Sequence, residues 1–201
     1  MDLLQKEKIY LFRLHLILEH LGKPLRKFNS LDYLDLHSVL DPFMLVHMET
    51  IYRCHSSLYH TLLRIARQWG THSTIGDVFL RQTEWMGAHY APYMCAYNVA
   101  LHTQRLLPTV PEFQPLREEF EKRKEVGGMP LEAFLLLPIQ RIPSYKRALK
   151  EMSRNTEEDH PDWQLLQAAI NLLDRLLADL SSRARLIRTS TKPSSRPIHG
   201  S

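Results

Sequence analysis

Histidine and cysteine are the residues of this sequence best suited to hold a metal ion. Eleven histidines and two cysteines are scattered along the chain. His55 and His60 are five residues apart, which puts them on roughly opposite faces of a helix. A zinc site needs closely spaced ligands, and the sequence has no His-Glu-x-x-His pattern. We therefore expect no metal site, and we expect both histidines to be solvated or partly buried.

Motifs for covalent chemistry at phosphate or acyl groups are absent as well. The sequence has neither a Gly-x-x-x-x-Gly-Lys-Ser/Thr loop nor a Gly-x-Ser-x-Gly elbow. Cys54 and Cys95 fit apolar core positions better than the role of an activated nucleophile. Two thiols without a disulfide framework indicate a reducing compartment. The sequence thus predicts a protein that uses no covalent chemistry and no cofactor.

A polar residue interrupts an apolar helix face near residue 140. Leu136, Ile139, Gln140 and Ser144 are spaced i, i+3, i+4 and i+8, so they share one face of a helix. Periodicity leaves two interpretations open for the two apolar residues, burial in a core or contact with a partner. Gln140 is easier to explain as a contact residue, because a buried amide needs its own partners. Spacing by itself does not decide whether this face is part of a core or a binding surface.

Helical spacing of apolar residues extends through most of the chain. It predicts helices over approximately residues 4–25, 42–69, 74–106, 112–124, 131–152 and 161–187. Gly22 and Pro24 are expected to end the first helix. Pro92 is expected to kink the third, and Pro138 and Pro143 to interrupt the fifth.

One apolar stripe of the second predicted helix includes Ile51, Leu58, Leu62, Ile65 and Trp69. Alternation typical of strands is missing, and 44% of the 201 residues are hydrophobic. These features predict an all-α fold, an elongated bundle of about six main helices. We expect one domain over residues 1–186, followed by a disordered basic tail at 187–201.

Charge limits the classes of partner. The net charge is only +4, and part of the excess lies between Arg183 and Arg196. Nucleic-acid binding needs a denser basic face, so we expect none. Weak contact of the basic tail with an anionic membrane is an alternative role. A secretory leader and an apolar run of about 18 residues are absent, which predicts a cytoplasmic protein, recruited to membranes if that tail binds lipid.

The segment Leu135-Leu-Leu-Pro-Ile-Gln-Arg-Ile-Pro-Ser-Tyr145 is the most informative stretch of the chain. It resembles the third conserved region of Dbl-homology domains, Leu-x-x-Pro-x-Gln-Arg-Ile-Pro-Arg/Lys-Tyr. The start, Asp2-Leu-Leu-Gln-Lys-Glu-Lys-Ile-Tyr-Leu-Phe-Arg-Leu14, is similar to the first region, Glu-Leu-Leu-x-Thr-Glu-x-x-Tyr-Val-x-x-Leu. His160-Pro161-Asp162 resembles the loop before the last long helix of the family. The resemblance covers residues 2 to about 185.

The resemblance implies a guanine-nucleotide exchange factor. Such a domain promotes GDP release from a Rho-family small GTPase, of the Rho or Rac class, by binding its switch regions. The alternative is an interaction module that kept the Dbl-homology fold and lost most or all exchange activity. Family members usually carry a pleckstrin-homology domain after the last helix, and the present sequence contains none.

The family pattern assigns GTPase contacts to six positions, namely Asp2, Leu136, Ile139, Gln140, Ser144 and Ser181, and we add Arg147 as a candidate contact. Three of them depart from the usual residue. Asp2 replaces a glutamate, Ser144 replaces a lysine or arginine, and Ser181 replaces an asparagine. Arg147 is expected to substitute for the missing basic group at position 144. These departures are the reason for keeping the inactive module as an alternative.

Four further residues are expected to be structural parts of the third region: Pro138, Arg141, Pro143 and Tyr145. In this motif the arginine serves as internal scaffolding more often than as a contact with the GTPase. The resemblance therefore predicts that neighbouring residues of one helix divide between the interior and the binding surface.

Overall fold

The computed structural model describes residues 2–29, 42–102 and 113–190, and these residues form helices and turns without any strand. The helices are α1 (Asp2–Ile17), α2 (Lys23–Asn29), α3 (Pro42–Arg67), α4 (Gly76–His102), α5 (Phe113–Glu121), α6 (Leu131–Arg154) and α7 (Pro161–Ser190). A π-helical turn, Leu18–Gly22, joins α1 to α2, and a 3-10 turn, Lys124–Val126, follows α5. With the continuous run from α1 to α2 taken as one segment, the predicted bundle of about six helices is confirmed.

The bundle is organised around its longest helix. With 30 residues, α7 is about 45 Å long, and it packs along α4 and α6, while α1 packs against α3 and α6. Aromatic residues dominate the largest fully buried side chains, which include Tyr90, Tyr93, Tyr145, Phe79 and Phe134. Because α6 contacts α1, α4 and α7, its buried face is held from three directions.

The first helix does not end where the sequence predicted. Lys23 has helical backbone angles, and its N–H donates to the carbonyl of Leu18, five residues back. This π-type bond carries the chain through Gly22 into α2. Pro24 directly follows this wider turn, which accommodates a residue that has no N–H to donate. The prediction that Gly22 and Pro24 end the helix is therefore wrong.

The predicted interruption of α6 is wrong as well, because the helix is continuous through Pro138 and Pro143. A proline inside a helix costs about 3 kcal/mol or more. Pro138 is buried, so packing of its ring against the core opposes this cost, whereas Pro143 is exposed. Close by, the Tyr93 hydroxyl donates to the Leu135 carbonyl at 2.7 Å. Pro92 also lies within a helix, α4, and the kink expected there stays a prediction.

Three boundaries lie close to the predicted ones. The third predicted helix, expected over residues 74–106, corresponds to α4, which runs from Gly76 to His102. Residues 103–106 lie outside the described residues. Gly127 and Gly128 adopt positive φ angles of 65° and 74° after the 3-10 turn, where glycine is favoured. The last helix ends at Ser190, so residues 187–190 are helical. The predicted disorder of residues 191–201 lies outside the described residues.

Trp69 is not part of the buried stripe of α3. That helix ends at Arg67, so the helical periodicity does not reach residue 69. The indole is 55% exposed.

Asp162 joins the start of α7 to the start of α4. Its carboxylate is buried and accepts the N–H of Ile75 at 3.0 Å and the N–H of Gly76 at 2.8 Å. The first N–H groups of a helix lack partners within the helix. The aspartate at the beginning of one helix therefore caps another helix, and the two ends are held together.

Gly76→Ala is expected to lower the free energy of unfolding by about 2–3 kcal/mol. A Cβ atom on Gly76 would lie 2.4 Å from the carbonyl carbon of Leu165 and 2.5 Å from the nitrogen of Leu166, so the α4–α7 contact must open. Equilibrium unfolding in urea measures the loss. Gly70→Ala is the matched control, because nothing lies within 4 Å of a Cβ there. Equal losses in the two variants would contradict the prediction.

Candidate functional site

The α6 segment that resembles the third Dbl-homology region has some residues in the interior and others on the surface. Pro138, Arg141 and Tyr145 are buried, whereas Gln140 and Arg147 are exposed. The remaining members of the proposed surface are partly buried at its edges: Leu136, Ile139 and Ser144. Pro143 is exposed, so it lies on the outer face rather than in the core. We call this outer side of α6, from Leu136 to Arg147, the α6 face.

The sequence left open whether Leu136 and Ile139 are buried in the core or accessible to a partner. Leu136 and Ile139 are partly buried and pack against the edge of the core. Each also keeps part of its side chain accessible. They therefore contribute to the core and remain available to a partner.

Two side-chain contacts define the alignment of α6 with α7. Ser153 accepts a hydrogen bond from Gln167 at 2.7 Å, and Lys146 forms an ion pair with Asp174. The second pair lies seven residues earlier on α6 and seven residues later on α7, as expected for antiparallel helices. A further step of seven places Ser181 level with Ile139. Extrapolated in this way, the alignment of the two helices puts Ser181 beside the N-terminal part of the α6 face.

Ser181 uses its hydroxyl within its own helix. The side chain is exposed, and Oγ donates to the Leu177 carbonyl at 2.7 Å. To donate to a partner protein, this hydroxyl must first give up the bond to the backbone. An asparagine at the same position would reach further into solvent.

Asp2 lies beside the C-terminal half of α6. It shares with Ala148 and Glu151 the wall of a cavity of about 590 Å³. The carboxylate is exposed and pairs with Lys6 one turn along α1. Exposed pairs of this kind contribute little stability, about 0.3–0.5 kcal/mol, so Asp2 can exchange Lys6 for another partner at small cost.

The two basic residues that follow Tyr145 have different environments. Lys146 is engaged by Asp174 of α7, whereas Arg147 is exposed on the α6 face. The guanidinium of Arg147 is the cation that a partner reaches more easily. Its role as a substitute for a basic residue at position 144 stays a prediction.

A buried polar cluster lies directly beneath the α6 face, and the sequence interpretation missed it. Its centre is Glu7 of α1, which is fully buried. Carboxylate oxygen Oε1 accepts from His55 Nδ1 of α3 at 2.8 Å. The other oxygen, Oε2, accepts from the Arg141 guanidinium and from the Tyr145 hydroxyl, both on α6. One carboxylate therefore joins three helices.

Two tyrosines extend this cluster to α4. The Tyr90 hydroxyl lies 2.6 Å from His55 Nε2 and 3.1 Å from the Tyr10 hydroxyl. The Arg141 guanidinium lies over the Tyr10 ring at 4.9 Å and over the Tyr145 ring at 4.4 Å from their centroids. Such cation–π contacts stabilise a buried cation.

The hydrogen bonds of the cluster indicate which of its groups carry protons. Burial raises the pKa of Tyr10, Tyr90 and Tyr145, so the phenols keep their protons. With a hydrogen on His55 Nδ1, Tyr10 donates to Tyr90, Tyr90 donates to Nε2, and Nδ1–H donates to the carboxylate. Each donor in this chain then has an acceptor.

Glu7 is held as a carboxylate despite its burial. Burial alone raises the pKa of Glu7, but the hydrogen bond from His55, the charge of Arg141 and the hydrogen bond from Tyr145 outweigh it. The net effect lowers the pKa below its ordinary value of 4.5. The charge on Glu7 is therefore matched by the buried charge of Arg141.

His55 corrects one prediction of the sequence analysis. Its side chain has 0% exposure and is neither solvated nor partly buried, whereas His60 is exposed. The sequence of α1 does indicate a buried carboxylate, because Glu7 lies on the same apolar stripe as Tyr10, Leu14 and Ile17. A carboxylate at a core position requires buried partners, although local spacing does not identify them.

The two cysteines are the remaining candidates for a reactive side chain. Burial raises the pKa of the Cys54 thiol to about 12, which favours the thiol over the nucleophilic thiolate. Cys54 and Cys95 are partly buried.

Within residues 2–29, 42–102 and 113–190, no three His, Cys, Asp or Glu side chains are grouped to hold a metal ion. In the same ranges, no helix has the apolar length needed to cross a membrane.

Comparisons with known proteins agree on one family. A family model described as the RhoGEF domain matches residues 1–181. The curated relatives include "Guanine exchange factor for Rac 30" of Dictyostelium discoideum, 29% identical over 92% of this chain and 11% of that protein. Another is "Active breakpoint cluster region-related protein" of Xenopus laevis, 28% identical over 96% of this chain and 23% of that protein. The chain thus spans less than a quarter of either relative.

Solved structures show the same fold. The DH/PH domains of p115-RhoGEF match with a TM-score of 0.78 and 20% identity, over 93% of this chain and 54% of that one. The DH domain of FARP2 matches with a TM-score of 0.73 and 19% identity, over 94% and 89%. The DH/PH fragment of PDZRHOGEF, solved with human RhoA, matches with a TM-score of 0.77 and 16% identity, over 93% and 53%.

The family model covers nearly all of the described residues, and the helices that it matches carry both the buried cluster and the α6 face. The chain belongs to the RhoGEF (Dbl-homology) domain family.

Proposed function

We propose that this domain accelerates GDP release from a Rho-family small GTPase by binding its switch regions. The contact surface consists of the α6 face, with Asp2 at one end and Ser181 level with Ile139. Exchange of this kind requires differential binding only, because a domain that prefers the nucleotide-free GTPase shifts the population towards it. No covalent step is involved.

One observation carries the proposal. Gln140 is exposed on the α6 face, whereas the adjacent Arg141 is buried in an ion pair with Glu7. Gln140, which the family assigns to GTPase contact, therefore points to solvent, and Arg141, which it assigns to the scaffold, points inwards. An interior α6 face would have excluded a contact role.

The names of the relatives indicate the family of the GTPase partner. Two curated relatives are named as exchange factors for Rac, and three solved neighbours contain RhoA. These names support a partner of the Rho family and do not choose between the Rho and Rac classes. Both classes therefore belong in the test.

The decisive measurement is release of a fluorescent guanine nucleotide from purified Rho-class and Rac-class GTPases, with the 201-residue chain at micromolar concentration. We expect accelerated release from at least one of them. Failure to accelerate release from any member of the panel, with the domain folded, would contradict the exchange function.

Gln140→Ala is expected to slow exchange about two- to tenfold, the effect of losing one hydrogen bond. The thermal midpoint should stay nearly unchanged, because Gln140 is exposed. Gln164→Ala is the matched control, since Gln164 is exposed near the start of α7, away from the α6 face. A large fall in the thermal midpoint of Gln140→Ala would instead assign Gln140 a structural role.

A second candidate function is a Dbl-homology-fold interaction module with little exchange activity. Two observations favour it. Ser144 is too short to make the charged contact that the family pattern implies, and the Ser181 hydroxyl is used by the Leu177 carbonyl. Binding of nucleotide-free GTPase without accelerated release would support this candidate.

The expected weak contact of the basic tail with anionic membranes involves mainly residues outside the described ranges, and it stays a proposal. Sedimentation with anionic liposomes should weaken when residues 187–201 are removed. Equal binding by the shortened chain would exclude this role.

A further inference from the structure

The buried cluster lies between the two helices that carry opposite ends of the proposed GTPase surface. Asp2 begins α1, and the α6 face runs along α6. Glu7 is five residues after Asp2, and Arg141 directly follows Gln140. The ion pair between Glu7 and Arg141 therefore connects the interior sides of both contact elements.

His55 is the third component of this connection, and it comes from a helix that carries no proposed contact. Its Nδ1–H donates to Oε1 of Glu7 at 2.8 Å. Arg141 and Tyr145 use the other carboxylate oxygen. Nδ1 also lies 2.9 Å from the Tyr145 hydroxyl. By binding Oε1, His55 orients a carboxylate whose other oxygen is held by α6.

We propose that His55 is a positioning residue for exchange: its Nδ1–H orients Glu7, and Glu7 in turn holds α1 against α6 so that Asp2 and the α6 face act as one surface. This inference rests on the proposed exchange function. His55 itself does not touch the GTPase, because it is completely buried. Supporting groups beneath a functional surface act in this way when they restrict the geometry of the contact residues.

The other nitrogen of the imidazole serves a different purpose. Nε2 lies 2.6 Å from the Tyr90 hydroxyl and connects the cluster to α4. The α4 helix carries none of the proposed contacts. Through Tyr90, the bond at Nε2 also reaches the Tyr10 hydroxyl of α1 at 3.1 Å, but only the bond at Nδ1 acts on the carboxylate that joins α1 to α6.

Two substitutions separate the two nitrogens. In His55→Asn, the amide nitrogen takes approximately the place of Nδ1 and retains a donor for Glu7 while losing Tyr90. In His55→Gln, the longer side chain places its amide near Nε2 and retains Tyr90 while losing Glu7. Both variants are polar and each keeps one of the two bonds, which makes them a matched pair.

Exchange should be measured as a titration of the GTPase with the full 201-residue chain. The plateau rate reports nucleotide release within the complex, and the half-saturating concentration reports the amount of competent domain. A partly unfolded variant shifts the half-saturating concentration and leaves the plateau unchanged. A variant with misaligned contacts lowers the plateau.

We expect the plateau of His55→Gln to fall about five- to tenfold, the effect of one lost hydrogen bond, and that of His55→Asn to stay within about twofold of the original chain. Leu45→Ala is the control for general destabilisation, because Leu45 is buried in α3 near Gly22, away from the cluster. An equal fall in both histidine variants, or in Leu45→Ala, would overturn the assignment, as would an unchanged plateau in His55→Gln.

Amide hydrogen exchange on the free domain gives a second readout that does not depend on any GTPase. Residues 2–10 and 141–150 should exchange faster in His55→Gln than in His55→Asn. If the original chain released no nucleotide, the proposed function would fail, and this comparison would still test whether Nδ1 holds α1 against α6. Identical protection in the two variants would overturn the positioning role.

Discussion

Glu7→Ala is expected to lower the free energy of unfolding by about 3–5 kcal/mol, because it leaves the buried cation of Arg141 without a counter-charge. The arginine is only 6% exposed, so water cannot replace the carboxylate. The Tyr145 hydroxyl and His55 Nδ1 lose their acceptor in the same variant. Equilibrium unfolding in urea, followed by circular dichroism, measures the change.

Glu118→Ala is the matched control for this prediction. Glu118 also pairs with a cation, Lys122, but on the surface at 3.0 Å. Its removal should cost less than about 1 kcal/mol. The double variant Glu7→Leu/Arg141→Met should recover part of the stability lost in Glu7→Ala, because it removes both buried charges. A cost below 1 kcal/mol for Glu7→Ala would contradict the structural role of the ion pair.

The same carboxylate predicts how stability depends on pH. The folded-state pKa of Glu7 lies below its ordinary value of 4.5. The unfolded chain therefore binds a proton more readily than the folded chain in that interval. The contribution of Glu7 is fully present above pH 4.5 and is lost as the pH falls through the lower folded value. Glu7→Gln should remove this part of the acid dependence.

Ser144→Arg is expected to raise the plateau exchange rate about 10- to 100-fold. A charge-assisted hydrogen bond contributes about 1.5–3 kcal/mol, which corresponds to this range. Ser144 lies at the partly buried edge of the α6 face, one turn after Gln140. An arginine can extend from that edge into solvent while its methylene groups cover apolar surface. The fluorescent nucleotide assay described above measures the rate.

Two controls accompany the arginine variant. Ser144→Gln adds length and a donor without charge, and it should give a smaller gain. Gln164→Arg adds the same charge away from the α6 face and should leave the rate near that of the original chain. The gain should also decrease with salt if part of it comes from exposed charges. An unchanged or slower rate in Ser144→Arg would place Ser144 outside the interface.

Both predictions depend on which residues of α6 face the interior and which face solvent. The inward side forms a charged cluster that is costly to break, and the outward side is free to change because it carries little of the stability. A family can therefore retain the fold while the residues at positions such as 144 and 181 vary. This division would allow the present chain to combine the family fold with departures at the proposed contact positions.

Local patterns were sufficient for the helical class and for the approximate extent of α3, α4, α6 and α7. Apolar spacing is a property of each helix by itself, because one stripe has to face a core. The motif around Gln140 and Arg141 also indicated which of the two residues is exposed. These features need no knowledge of which helices are neighbours.

Tertiary structure decided the features that depend on distant partners. Glu7 and Arg141 are 134 residues apart in the chain, and no periodicity connects them or predicts that His55 lies between them. The alignment of Ser181 with Ile139 depends on two contacts between α6 and α7. Pro138 remains inside α6 where neighbouring helices bury its ring, whereas Pro143 lies on the exposed side of the same helix. Spacing along a helix specifies which side is apolar, whereas the partners of a buried charge and the tolerance of a proline are properties of the packed interior.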